Sequence, residues 1–222
     1  MITKLPHWAW TGAWVLAFIA GIVNVVGLLG FEHQAITHLT GSTSLLAIAL
    51  ATADPYSILH FAGLLGSFLA GTVLSGLIIQ HSAFQLGRRY GFALILESFL
   101  LFAAVPLLNR HYASGLYCAA CACGLQNAMM TTYSGTVIRT THISGMFTDL
   151  GISLGNALRG AAVDANRVRM SLLIISGFLC GGVTGALAYR QLQAATLLIP
   201  AVITAAMSIG YAIYRLRKKH SN

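Results

Sequence analysis

Charge is what this chain has least of. Only 8% of its 222 residues are Asp, Glu, Lys or Arg, against about 25% in an ordinary soluble domain. So few charges cannot keep a folded surface in water, which leaves no room for a soluble catalytic domain. Chemistry-bearing motifs are also missing. The four cysteines are Cys118, Cys121, Cys123 and Cys180; no second C-x-x-C follows the first, as a structural zinc site would need. The eight histidines have no metal-ligand spacing. There is no glycine-rich phosphate loop, no H-E-x-x-H and no G-x-S-x-G. The chain is therefore read as neither an enzyme nor a cofactor or metal protein.

What is present is apolar sequence. Hydrophobic residues make up 57% of the chain, and runs of about 18 or more read as transmembrane helices. The fold class is all-α, a polytopic membrane protein whose first partner is the lipid bilayer. The net charge of +8 marks cytoplasmic loops near anionic headgroups rather than a nucleic-acid surface. Six spans are expected, over about 12–30, 58–79, 92–108, 112–130, 170–189 and 194–214. The first is too long for the roughly 7–15-residue core of a signal peptide and is read as an anchor. Trp8, Trp10 and Trp14 fit an interfacial aromatic belt.

A motif occurs twice. The chain reads THLTGSTSLLAIAL from Thr37 and THISGMFTDLGISL from Thr141. Eight of these fourteen positions are identical or exchange Ser for Thr, at a period of 104 residues. That period signals a duplicated unit rather than a solenoid, with repeats over about 12–108 and 112–214 in a single membrane domain. Each copy reads as a polar, non-helical approach to a short apolar helix, over 45–53 and 146–158. At about 1.5 Å per residue the first is too short to cross, so both short helices are read as re-entrant or broken.

Charge then orients the chain. With six crossings and a cytoplasmic N-terminus, eleven basic residues fall inside and two, Arg110 and Arg190, outside. Both termini are then cytoplasmic. Each repeat holds an odd number of crossings, so the halves are inverted, a plan that recurs in transporters.

The candidate substrate-binding residues follow from that plan. They are Thr37, His38, Thr40 and Gly41 in the first motif and Thr141, His142, Ser144 and Gly145 in the second, because a half-helix N-terminus offers free N–H groups to a polar ligand. Asn24, Gln126 and Asn127 join them as amides inside spans. Thr and Ser before a helix also serve as plain N-caps, and Asn24 and Asn127 also suit helix-to-helix hydrogen bonding. Glu97, inside an otherwise apolar span, is a proton-coupling candidate, or an acid that pins two helices. Asp149 is the second coupling candidate, or a counter-charge to Arg139 or Arg159.

G-I-V-N-V-V-G-L-L-G from Gly21, H-L-T-G from His38, G-L-Q-N-A from Gly124 and T-H-I-S-G with T-D-L from Thr141 resemble the YoaK family of bacterial integral membrane proteins, a domain of unknown function. The resemblance covers about Trp14 to Tyr211. It implies a bacterial inner-membrane protein of about six spans and no particular substrate. That family often has an acid where Asn24 stands and Asn where Ser42 stands, which makes Glu97 the better coupling candidate here. The leading expectation is a transporter of a small solute, coupled to protons, using paired broken helices at the repeat interface. A passive channel, an intramembrane enzyme and a non-transporting scaffold are the alternatives. The small-residue faces of the second and fifth spans suit packing within one chain or in a homo-oligomer.

Overall fold

Long apolar segments in lipid must satisfy their own backbone hydrogen bonds, and a helix does so within one segment. The computed structural model describes residues 7–79, 88–134 and 139–220. Lys4, residues 80–87 of the polar loop expected over 80–90, part of the second polar approach (135–138) and the side chains of Arg88, Arg217, Lys218 and Lys219 lie outside what it describes. The last three residues of that loop instead open a helix. Among the described residues there are eight α-helices and no strand. In chain order they are α1 (His7–Leu29), α2 (Leu39–Ala51), α3 (Pro55–Ile78), α4 (Arg88–Asn109), α5 (Ser114–Tyr133), α6 (Ile143–Leu158), α7 (Ala165–Leu192) and α8 (Leu198–His220). A 3-10 turn, Gln193–Leu197, joins α7 to α8.

Among the described residues, four stretches are long and apolar enough to cross a membrane: Trp8–Leu29, Pro55–Ile78, Arg89–Asn109 and Ala165–Leu216, the last holding both α7 and α8. The protein is an α-helical membrane protein. α5 has the length, 20 residues, but a milder composition, and most of its residues are buried by other helices. Its neighbours, not lipid, set what it can carry.

Two aspartates start two of the long helices. Asp54 caps α3, its Oδ1 accepting from the Tyr56 and Ser57 N–H groups and its Oδ2 from the Ser57 hydroxyl at 2.6 Å. Pro55 occupies the first turn, where its missing N–H costs nothing. Asp164 caps α7 in the same way, accepting from the Asn166 and Arg167 N–H groups.

Glycine sets how the long helices pack. On α1 and α7, Gly21 lies against the Phe178 carbonyl, Gly181 against the Phe18 carbonyl and Gly177 against that of Trp14, while Gly185 touches Ile22. Numbers rise together along both helices, so α1 and α7 run parallel. On α3 and α5, Gly63 meets Tyr117, Gly124 the Phe68 carbonyl and Gly71 the Cys121 carbonyl, again a parallel pair. Gly63 and Gly71 of the second span and Gly177, Gly181 and Gly185 of the fifth are thus filled within the chain, whereas Gly66 and Gly76 meet open space. α4 runs antiparallel to α5, with Leu108 on Gly115 and Tyr90 beside Tyr133. It also runs antiparallel to α8, where the Ser98 hydroxyl donates to the Ala201 carbonyl and the Ser208 hydroxyl to the Gly91 carbonyl.

A Cβ added at Gly71 or Gly181 would strike backbone, whereas Gly66 faces open space. Gly71→Ala and Gly181→Ala should each destabilise the fold by about 1–3 kcal/mol through overpacking, while Gly66→Ala leaves the melting temperature of the detergent-solubilised protein unchanged or higher. The hydrogen bonds from Ser57 hold the Asp54 carboxyl below its ordinary value of 3.8. A depressed folded-state value means the cap contributes fully above 3.8 and fades as pH falls through the lower folded value. The melting-temperature gap between the wild type and Asp54→Ala should therefore be constant at neutral pH and narrow only below about 3.8.

Candidate functional site

Both copies of the repeated motif adopt one local geometry. The expected polar approach ends sooner than its composition suggests, because the helices begin at Leu39 and Ile143. Thr40 and Gly41, and Ser144 and Gly145, therefore sit in first helical turns. His38 and His142 occupy the position before each helix with matching backbone angles, φ −95° and ψ 69° against φ −93° and ψ 61°. Each imidazole folds over its own glycine. A Cβ on Gly41 would lie 2.6 Å from His38 Nδ1, and one on Gly145 2.6 Å from His142 Nδ1. This is the physical reason that His and Gly stand three apart in both copies.

The segment before α2 runs back along α1. The Gln34 N–H donates to the Gly27 carbonyl at 3.1 Å. One turn of α1 further back, the Thr37 N–H and hydroxyl both donate to Asn24 Oδ1, at 3.0 and 2.9 Å. Irregular backbone beside a membrane helix needs such partners. The second copy is tied differently. Gln126 Nε2 donates to the Thr140 hydroxyl at 3.0 Å and to the Leu16 carbonyl of α1 at 2.9 Å. Asn127, which the sequence pairs with Asn24, leaves its Oδ1 buried without a partner. The structural counterpart of Asn24 is Gln126, one residue earlier.

The two motifs do not meet. α2 packs on α3 and α6 on α7, with no contact between α2 and α6 among the described residues. The paired short helices expected at the repeat interface thus make no contact with one another. Glycine-driven closure of α1 on α7 and α3 on α5 fills the centre and leaves both short helices on the flanks. His38, Thr40, His142 and Ser144 are exposed, Thr37 is buried, and Thr141 and Asp149 are half-buried. A shallow cavity of about 380 Å³ collects Arg139, His142, Ser144, Gly145 and Asp149 around the second motif. The first motif has no counterpart of Arg139 or Asp149.

The centre holds other groups. Glu97 is 1% exposed and its Oε2 is buried without a hydrogen-bond partner. By the α4–α5 register it stands level with Gln126. A cavity of about 250 Å³ opens between the starts of α1 and α4 and the ends of α5 and α8, walled by Trp8, Tyr90, Tyr133 and Tyr211 with methionines. A second, of about 240 Å³, lies at the other end of α1, where Gly30, Asn109, His111, Tyr189 and Gln193 meet. His111 and Gln193 have positive φ, 58° and 49°, a conformation costly for side chains other than glycine and common at functional sites. Sequence reasoning missed both cavities, because their residues come from helix ends far apart in the chain. The Asp164 cap was legible as an acid directly before an apolar helix.

Residues 12–210 match a family described as "Protein of unknown function (DUF1275)". No curated protein and no solved structure matches the chain. For the motif itself, Gly41→Ala should destabilise the protein by displacing the imidazole, and His38→Ala should relieve that cost. A double-mutant cycle read by thermal unfolding is expected to give a coupling of about 1 kcal/mol; additivity would show that the glycine serves something other than the histidine.

Proposed function

The chain belongs to the DUF1275 family, and from that premise we propose that it is a proton-coupled transporter of a small solute, built from two inverted three-span repeats. The observation that carries this reading is the direction of the helices. α1 and α7 run together, α3 and α5 together, and α4 opposite to α5 and α8. The starts of α1 and α4 meet the ends of α5 and α8 around one cavity, which supports α1, α4 and α7 running one way and α3, α5 and α8 the other. The end of α1 and the start of α3 then share a side, and so do the end of α5 and the start of α7. In this reading α2 and α6 are re-entrant, six helices cross, and the second repeat is the first turned over. Such repeats alternate access by exchanging the packing of equivalent elements. An imbalance of that kind is present: α4 lies along α5, while its counterpart α8 stands mostly clear of α1.

The cavities at the two ends of α1 serve as the inner and outer vestibules, and Glu97 between them is the coupling acid. Intramembrane carboxyls of this kind mark proton relays. The re-entrant motifs, including His38 and His142, act as supports for the vestibules rather than as one shared binding site. No residue is assigned a catalytic role. The excess of basic residues on one side supports cytoplasmic termini, and the family resemblance supports a bacterial inner membrane.

Sidedness is the test. After replacement of the four native cysteines, single cysteines at Ala51 and Ala161, both exposed near the ends of α2 and α6, are probed with a membrane-impermeant maleimide. Ala51→Cys should label from outside whole cells and Ala161→Cys only in inverted vesicles. Labelling of both from one face would overturn the inverted plan and the transport reading with it.

A further inference from the structure

The cavity at the start of α1 has a wall that the transport reading does not by itself explain. Trp8, Tyr90, Tyr133 and Tyr211 present aromatic rings to it, from four different helices. Trp8 and Tyr133 meet at 5.4 Å and 48°, and Tyr90 stands edge-on to Tyr133 at 6.0 Å. Rings set at angles line a box instead of stacking shut. Ring faces carry partial negative charge and attract cations, most strongly where water is excluded. At about 250 Å³ the space falls below the roughly 300–1,000 Å³ of drug-sized pockets, so its ligand is small.

One turn of α4 beyond the cavity's lining lies a buried acid, Glu97, with a carboxyl oxygen that has no hydrogen-bond partner. Leu94 forms part of the floor, and Glu97 follows it on the same buried face of α4. Leu16 forms another part, and its carbonyl is held by Gln126 at the level of Glu97. Of the titratable groups on its own helix and on those packed against it, Cys123 of α5 lies by Glu97, while Tyr90, Tyr133 and Tyr211 stand about 10–14 Å along the axis by the helix registers; the buried face of α1 carries none. Arg215 lies one turn beyond Tyr211. By the α4–α8 register, that is about 20 Å along the axis from Glu97. A lone buried carboxylate is costly unless a cation comes to it, and no Lys or Arg of the described neighbouring segments does so.

We propose that this cavity binds a small lipophilic organic cation, an alkylated ammonium on an apolar body, with the aromatic box holding the ammonium and Glu97 supplying the counter-charge. The inference rests on the transport reading and adds its substrate class. As the cation settles, the Glu97 carboxyl gives its proton to solvent, so one positive charge replaces another and the interior stays neutral. Exchange of proton for cation at one acid is then the coupling step.

The test uses the full-length protein in nanodiscs with benzyltrimethylammonium as probe and benzylsulfonate, of similar size and opposite charge, as control. Calorimetry in two buffers of different ionisation heat counts protons. The expected result is saturable binding of the ammonium, about one proton released per cation, and at least tenfold weaker binding of the sulfonate. Glu97→Gln should abolish the proton release and weaken binding at least tenfold. Tyr90→Leu, a second variant should the first fail to fold, should weaken binding while keeping the proton count. Equal binding of the sulfonate, no saturable ammonium binding, or unchanged proton release in Glu97→Gln would overturn the proposal. Failure of the ammonium to bind leaves the transport reading standing for another solute. Binding without counterflow in proteoliposomes sinks the transport reading and leaves the cation site in place.

Discussion

Close approach of backbone to backbone at glycine is the constraint on which this fold depends. Lipid tails are as apolar as leucine, so burying hydrophobic side chains gives helices in a membrane little reason to associate. What remains is dense packing, and it needs one partner to lack a side chain. Gly21, Gly177 and Gly181 provide this for α1 and α7, and Gly71 and Gly124 for α3 and α5. The large apolar side chains are pushed outward. Leu59, Leu69, Leu77, Leu179 and Leu187 all stand more than half exposed, as a lipid-facing surface should.

That arrangement explains why so many polar residues inside the helices are not sites. Thr43 and Ser44 bond to carbonyls four residues back, as do Thr148 and Thr184, and Thr72 bonds to one three back. A hydroxyl satisfied by its own helix can face lipid at little cost. Asn24 and Gln126 are spent on holding the irregular segments that precede α2 and α6. Glu97 is not accounted for in this way, its Oε2 being buried without a partner, as are His60 Nε2, Ser75 Oγ and Asn127 Oδ1.

The duplication is faithful in local geometry and loose in its chemistry. The histidine and glycine of each motif repeat to within a few degrees and tenths of an ångström. The amide that anchors each approach does not, being Asn24 in one half and Gln126 in the other, and α8 carries no Asp or Glu to match Glu97 of α4. A fold can tolerate such drift wherever packing alone is at stake. Differences between the halves therefore collect at the two cavities, with aromatic walls at one end of α1 and a polar lining at the other.

The amino-acid sequence determined by itself that this is an all-α membrane protein, roughly where its long helices run, that it contains a repeated motif, and that one acid lies within a span. These are local properties: composition, run length and periodicity answer to lipid and backbone without reference to distant residues. Family membership was likewise legible in short motifs kept in order. Only the tertiary structure decided that α2 and α6 lie apart on the flanks, that Gln126 rather than Asn127 answers Asn24, and that Trp8, Tyr90, Tyr133 and Tyr211 wall one cavity. Those facts depend on which helices pair and in which direction, and pairing is set by glycine contacts between residues some 50 to 160 positions apart, a separation at which single-chain periodicity carries no signal.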